Sequence, residues 1–202
     1  MNAFGLTGNI GCGKSTVARL LAQYYDVSVV DCDLVAKDII KSGLYKDQIN
    51  QLLGVDVFPG GKVDFGTIAK VIFGNTAKKD SFEKLIHPMV WSVVEEKVAV
   101  SENNKILIVE SALIYEIGSA GRFDAVIVVA CGQEEQLRRL RENRKMNEVD
   151  LQARLSKQIP SAEKERQAQF VIRTDCSMEE LTQRVNALYE DLKQQKTERL
   201  SK

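Results

Sequence analysis

Gly8-Asn9-Ile10-Gly11-Cys12-Gly13-Lys14-Ser15 is a complete phosphate-binding loop of the pattern GxxxxGK followed by Ser or Thr. A nucleotide triphosphate needs many hydrogen-bond donors in a small space, which closely approaching backbone N–H groups supply. Glycines at 8, 11 and 13 permit that approach. The spacing puts the Lys14 ammonium beside the outer phosphates, the Ser15 hydroxyl on Mg2+, and the positive end of the next helix behind both. Asn9, Ile10, Gly11, Cys12, Gly13, Lys14, Ser15 and Thr16 are therefore the candidate binding residues for ATP or GTP. The flanks agree. Ala3-Phe4-Gly5-Leu6-Thr7 suits a buried parallel strand, and Val17, Leu20, Leu21 and Tyr24 recur at helical spacing.

Outward from the loop, further apolar runs at 27–31, 106–112, 125–130 and 170–174 read as strands, separated by helical patterns. Strands alternating with helices imply right-handed crossovers, an α/β class and a five-stranded parallel sheet with its ligand at the carboxyl ends. Two connections are too long for simple crossovers. Residues 32–105 carry helical periodicity at 34–40, 48–53, 68–73 and 82–100, so an inserted helical subdomain is expected. Residues 131–169 carry Arg138, Arg139, Arg141, Arg144, Lys145, Arg154, Lys157, Lys164 and Arg166, the composition of a basic helical hairpin. Met178, Leu181, Val185, Leu188 and Leu192 form one apolar helical face, with a frayed end expected after Lys193.

Hydrophobic residues make up 44% and charged residues 28%, a globular composition, and no apolar run approaches the roughly 20 residues that span a bilayer. The loop lies so close to Met1 that no cleavable leader is expected. The 28 basic and 28 acidic side chains cancel, and no aromatics interleave the basic residues from Arg138 to Arg166, which argues against nucleic-acid binding. Cys12, Cys32, Cys131 and Cys176 form no CxxC pair. They read as small apolar residues, reduced in a cytoplasm. A monomer or weak homo-oligomer is expected.

Asp31 and Asp33 end the second strand. If the extended conformation persists, residues two apart point to one side, so one carboxylate takes a proton from an attacking hydroxyl while the other holds hydrated Mg2+. Equally, one of them caps a helix beginning near Leu34. Glu110, within the third strand, is a Walker B counterpart near the metal or simply an acid at a sheet edge. Arg139 and Arg144 lead the basic cluster as stabilisers of the moving phosphoryl group, against the alternative of a solvated helix face. His87, the only histidine, precedes Pro88, which reads as a helix boundary with a capping or packing role.

Taken in order, these segments resemble the dephospho-CoA kinase family nearly end to end. Gly5 to Thr16 is close to that family's GLTGGIGSGKST, Asp31-Cys32-Asp33 to its DAD, and Leu85-Ile86-His87-Pro88 to its LxHP. Glu110 to Glu116 is similar to its DxPLLFE segment, and Arg154 to Pro160 to its RIxxQMP. The resemblance implies a P-loop kinase fold with a core of residues 1–33, 101–135 and 168–202, an acceptor-binding subdomain at 34–100 and a lid at 136–167. It implies phosphate transfer from ATP, with Mg2+, to the ribose 3'-hydroxyl of dephospho-CoA. By that analogy Asp33 becomes the base, with Lys14, Arg139 and Arg144 the stabilising cations; Asp33 and His87 are the candidate acceptor-side residues, and Ser15, Asp31 and Glu110 stay the candidates for the metal side on the reading of the residues above. Ala112, Phe65 and Thr174 depart from the residues usual in that family.

Two rival readings share some of these features. Another nucleoside or nucleotide kinase would share loop, lid and insertion. A nucleotide-gated switch would carry a DxxG element, and no aspartate here has glycine three residues later.

Overall fold

A computed structural model of the chain describes residues 3–101, 105–142 and 155–200. The chain forms two compact units, one of Met1–Val30 with Val100–Lys202, the other of Asp31–Ala99.

The first unit is built on a five-stranded parallel sheet in the order β2-β3-β1-β4-β5, comprising β1 (Phe4–Thr7), β2 (Val27–Asp31), β3 (Ile106–Glu110), β4 (Val126–Ala130) and β5 (Phe170–Arg173). The three central strands are buried at every residue, which is why they read as unbroken apolar runs. The edge strands β2 and β5 are partly exposed and read less cleanly. Register aligns Leu6 with Glu110 on one side and with Ile127 on the other, so the loop after β1 and the acid ending β3 emerge on the same edge. Helices α1 (Lys14–Tyr24) and α8 (Met178–Leu200) pack on each other and on β3, while α7 (Ser161–Gln167) packs on β4. Leu6, Leu21, Ile108, Ile127 and Leu192 are wholly buried between these layers, each worth about 1.5–3 kcal/mol of apolar burial.

Several expected boundaries shift for identifiable reasons. β3 stops at Glu110 rather than Ala112, because the Ala112 carbonyl leaves the sheet and accepts from Lys164 Nζ at 3.1 Å. The frayed end after Lys193 is overturned: α8 continues to Leu200, with Lys193 over the Tyr189 ring at 5.4 Å and Lys196 donating to the Lys105 carbonyl. Tyr24, expected on the apolar face of α1, is exposed. Its neighbour Tyr25 takes the packing role by stacking on Tyr189 at 4.1 Å.

The second unit contains α2 (Cys32–Lys41), α3 (Lys46–Leu53), α4 (Phe65–Gly74) and α5 (Thr76–Ala99), with the other three helices packed on α5. All four expected helical segments of the insertion are present. The boundary expected at His87–Pro88 is not, because α5 runs straight through it. Proline removes one helical hydrogen bond at a cost of about 3 kcal/mol. Phe82, Ile86, Val90 and Val94 form a buried stripe that continues on both sides of Pro88, and at about 1.5–3 kcal/mol per residue that burial outweighs the loss.

Candidate active site

The phosphate loop is shaped by backbone crowding. Gly8 has φ +144°, and a Cβ there would lie 2.1 Å from the Val129 carbonyl oxygen of β4, so no side chain is admissible. At Gly11, with φ +83°, a Cβ would lie 2.9 Å from Leu140 of α6 (Gln133–Glu142). No side chain caps the start of α1 after Gly13, so its positive end faces the loop and favours an anion there.

A cavity of about 360 Å3 opens beside the loop. Gly11, Gly13, Lys14, Ser15 and Thr16 line its polar end, with Arg139 and Thr174 beside them. Cys176, Met178 and Leu181 give it an apolar end. That division suits a polyphosphate at one end and a flat base at the other. Met178, expected in the packed face of its helix, is more than half exposed because it lines this space. Lys14 Nζ donates to the Gly8 carbonyl at 2.9 Å and the Asn9 carbonyl at 3.4 Å. Ser15 Oγ donates to Glu110 Oε1 at 2.9 Å, joining the first turn of α1 to the end of β3. A hydroxyl beside a buried carboxylate is the hard-oxygen set that suits Mg2+, an ion that keeps several waters and completes its shell from phosphates.

The expected binding residues therefore divide. Gly11, Gly13, Lys14, Ser15 and Thr16 face the cavity, whereas Asn9 and Ile10 are engaged elsewhere and Cys12 is buried. Asn9 Nδ2 donates to the Ile159 carbonyl at 3.3 Å, and the Ile10 N–H donates to Gln158 Oε1 at 2.9 Å. Gln136 Nε2 donates to the Ile10 carbonyl at 2.7 Å, and Thr174 Oγ1 to the Cys12 carbonyl at 2.8 Å. Gln136 and this use of Thr174 carry no signal in the sequence, and although Gln158 falls in the segment similar to RIxxQMP, its partner is distant along the chain and is not indicated there.

Arg139 lies on α6 at the cavity wall with its guanidinium tied to protein on every nitrogen. Nη1 and Nη2 donate to Thr174 Oγ1 and its carbonyl at 2.8 and 2.7 Å, and Nε donates to Glu135 Oε1 at 2.7 Å. Arg138 and Arg139 together hold the Glu135 carboxyl down to about 2. The flanks of the expected lid are thus built into the first unit, where Leu140 and Lys164 are wholly buried. Arg144, the other expected cation, lies outside the described residues.

The cysteines, far apart in sequence, include one spatial pair. Cys131 Sγ lies 3.4 Å from Cys12 Sγ, and both are free thiols. The bond from Cys131, aided by the Lys14 charge, holds the Cys12 thiol below its ordinary value.

In the second unit the paired-carboxylate geometry is corrected. The chain leaves the extended conformation at once, because Asp31 Oδ1 accepts from the N–H groups of Asp33 and Leu34 at 2.8 and 3.1 Å and caps α2, which starts at Cys32. Asp33 is an exposed residue of the first helical turn, not a strand neighbour of Asp31. His87 is half-buried inside α5. At the turn before α4, Asp64 caps the helix through the Gly66 and Thr67 N–H groups, so Phe65 occupies its first position.

The family model described as dephospho-CoA kinase matches residues 2–180. A dephospho-CoA kinase of Bdellovibrio bacteriovorus is 32% identical over 202 residues, covering 98% of this chain and 100% of the relative. Among solved structures, a Thermus thermophilus protein superposes with a TM-score of 0.81 at 29% identity, covering 94% of this chain and 97% of that one. A dephospho-CoA kinase from Campylobacter jejuni does so with a TM-score of 0.71 at 25% identity, covering 96% and 98%.

Proposed function

The chain belongs to the dephospho-CoA kinase family, and from that membership we propose how its residues divide the work of the reaction. The enzyme is an ATP-dependent kinase that phosphorylates the ribose 3'-hydroxyl of dephospho-CoA, giving coenzyme A and ADP, the last step of coenzyme A biosynthesis. The observation that carries the assignment of roles is the Ser15–Glu110 hydrogen bond beside Lys14, at the polar end of a cavity of the right size for a nucleotide.

The loop amides and Lys14 bind the phosphate tail, and the apolar end at Cys176, Met178 and Leu181 takes the base. Ser15 and Glu110 would hold Mg2+, which when bound neutralises charge on the outer phosphates. Asp33 accepts the proton as the ribose oxygen bonds to the γ-phosphorus and the bond from that phosphorus to the bridging oxygen of ADP breaks. Asp31, committed to its cap, acts by fixing the start of α2 and hence Asp33. Arg139 frames the nucleotide cavity, and Arg144 is the candidate for charge delivered from the lid.

Residues 34–100 serve as the acceptor side, with His87 among them. Four free cysteines suit a reducing compartment, and the cytoplasm is the location we assign. Among the described residues no helix is long and apolar enough to cross a membrane. Incubation with ATP, Mg2+ and dephospho-CoA should add one phosphoryl group to the acceptor by mass, with one ADP formed per coenzyme A. ADP released without phosphorylated acceptor would refute the assignment.

A further inference from the structure

Two peptide groups of the phosphate loop are gripped from behind. A trans peptide points its carbonyl and its amide to opposite sides, and no cis bond occurs among the described residues. The Ile10 carbonyl, bonded to Gln136 Nε2 at 2.7 Å, shares its peptide with the Gly11 N–H. The Cys12 carbonyl, bonded to Thr174 Oγ1 at 2.8 Å, shares its peptide with the Gly13 N–H. Holding each carbonyl away from the cavity turns the paired amide toward it, and Gly11 and Gly13 both line that cavity.

Glycine peptides are the ones most able to rotate, and both sit at positive φ, +83° and +90°. The two holders are fixed in turn. Gln136 is 8% exposed and Thr174 3%. Arg139 Nη1, which can only donate, bonds the Thr174 hydroxyl at 2.8 Å, and so leaves its single proton for a carbonyl, that of Cys12 at 2.8 Å being nearer than that of Ala130 at 3.5 Å.

We infer that Gln136 and Thr174 are positioning residues that set these two peptide planes so that the Gly11 and Gly13 amides face the polyphosphate. The inference rests on the reading that this cavity holds the phosphates of ATP. It extends catalysis by preorganised backbone donors to two side chains that bond the loop's own carbonyls.

The test compares Gln136→Met, Thr174→Val and Thr174→Ser with the parent enzyme, using calorimetry with Mg2+-ADP and steady-state kinetics. Gln136→Met and Thr174→Val should each weaken ADP binding and raise KM for ATP roughly tenfold, equivalent to about 1.4 kcal/mol. KM for dephospho-CoA should stay within twofold, and Thr174→Ser, which keeps the hydroxyl, should stay within twofold of the parent throughout. ATP and ADP values within twofold of the parent in the Met and Val variants would overturn the inference. So would equal losses for nucleotide and acceptor, which mark general damage. If Gln136→Met does not fold, the contrast between Val and Ser at Thr174 decides. A parent enzyme that fails to bind ADP would instead overturn the cavity reading, and the inference with it.

Discussion

Lys164, wholly buried, places its Nζ 2.7 Å from Glu116 Oε1 and joins two segments that meet nowhere in sequence. Lys164 also donates to the Ala112 carbonyl, just beyond β3, while Glu116 Oε1 accepts from the Ile159 N–H at 2.9 Å. Ile159 and its neighbour Gln158 then bond Asn9 and Ile10 of the phosphate loop. The pair thus ties the strand that carries Glu110 to the segment that holds the back of the loop.

Removing one partner strands a charge in the interior, whereas removing both leaves an apolar pair. Lys164→Met should therefore cost about 3–5 kcal/mol of stability, and Lys164→Met with Glu116→Leu should recover most of it. Urea denaturation of the two variants checks this. A single variant as stable as the parent would show that the pair anchors nothing.

Glu110 accepts the Ser15 hydroxyl, and we propose it as a residue of the metal side. Glu110→Gln keeps the shape and removes the charge, so the Mg2+ concentration giving half-maximal activity should rise roughly tenfold, as one of very few protein oxygens on a weakly dehydrated ion is weakened. A Mg2+ titration at saturating ATP measures it. An unchanged midpoint would assign Glu110 to packing at the sheet edge.

Glu135 is held down to about 2 by the guanidinium groups of Arg138 and Arg139. A depressed carboxyl contributes stability that is present above its ordinary value near 4.5 and is lost as pH falls through about 2. The tie from Glu135 to Arg139 at the cavity wall should accordingly stay intact from neutral pH down past 4. NMR titration of the Glu135 carboxyl should show this low value in the parent and a return toward 4.5 when Arg138 and Arg139 are both replaced by Ala. A carboxyl that titrates near 4.5 in the parent would contradict the ion pairs.

The parts of this molecule that could be read in sequence are those written locally. The loop from Gly8 to Ser15 is contiguous, and buried central strands must be apolar at every position, so both were visible. Asp31 and Asp33 misled because period-two reasoning holds only while a strand lasts, and the Asp31 carboxylate itself starts a helix at the next residue. Pro88 misled because its local cost is smaller than the burial of the stripe around it. The holders of the loop are 126, 148 and 162 positions from the residues they hold, so no spacing rule reaches them. Gln158 stood in a segment that matched the family pattern, but its task emerges only from where Ile10 lies.

We propose that Asp33 acts on the acceptor hydroxyl while the phosphate loop independently holds ATP. A single-turnover experiment with Asp33→Asn, ATP binding measured in parallel, separates the two roles. Phosphoryl transfer should slow by roughly 10^2 to 10^4 with ATP affinity within a few-fold of the parent. Transfer at the parental rate, or slowed transfer with an equal loss of ATP affinity, would rule out Asp33 as the base.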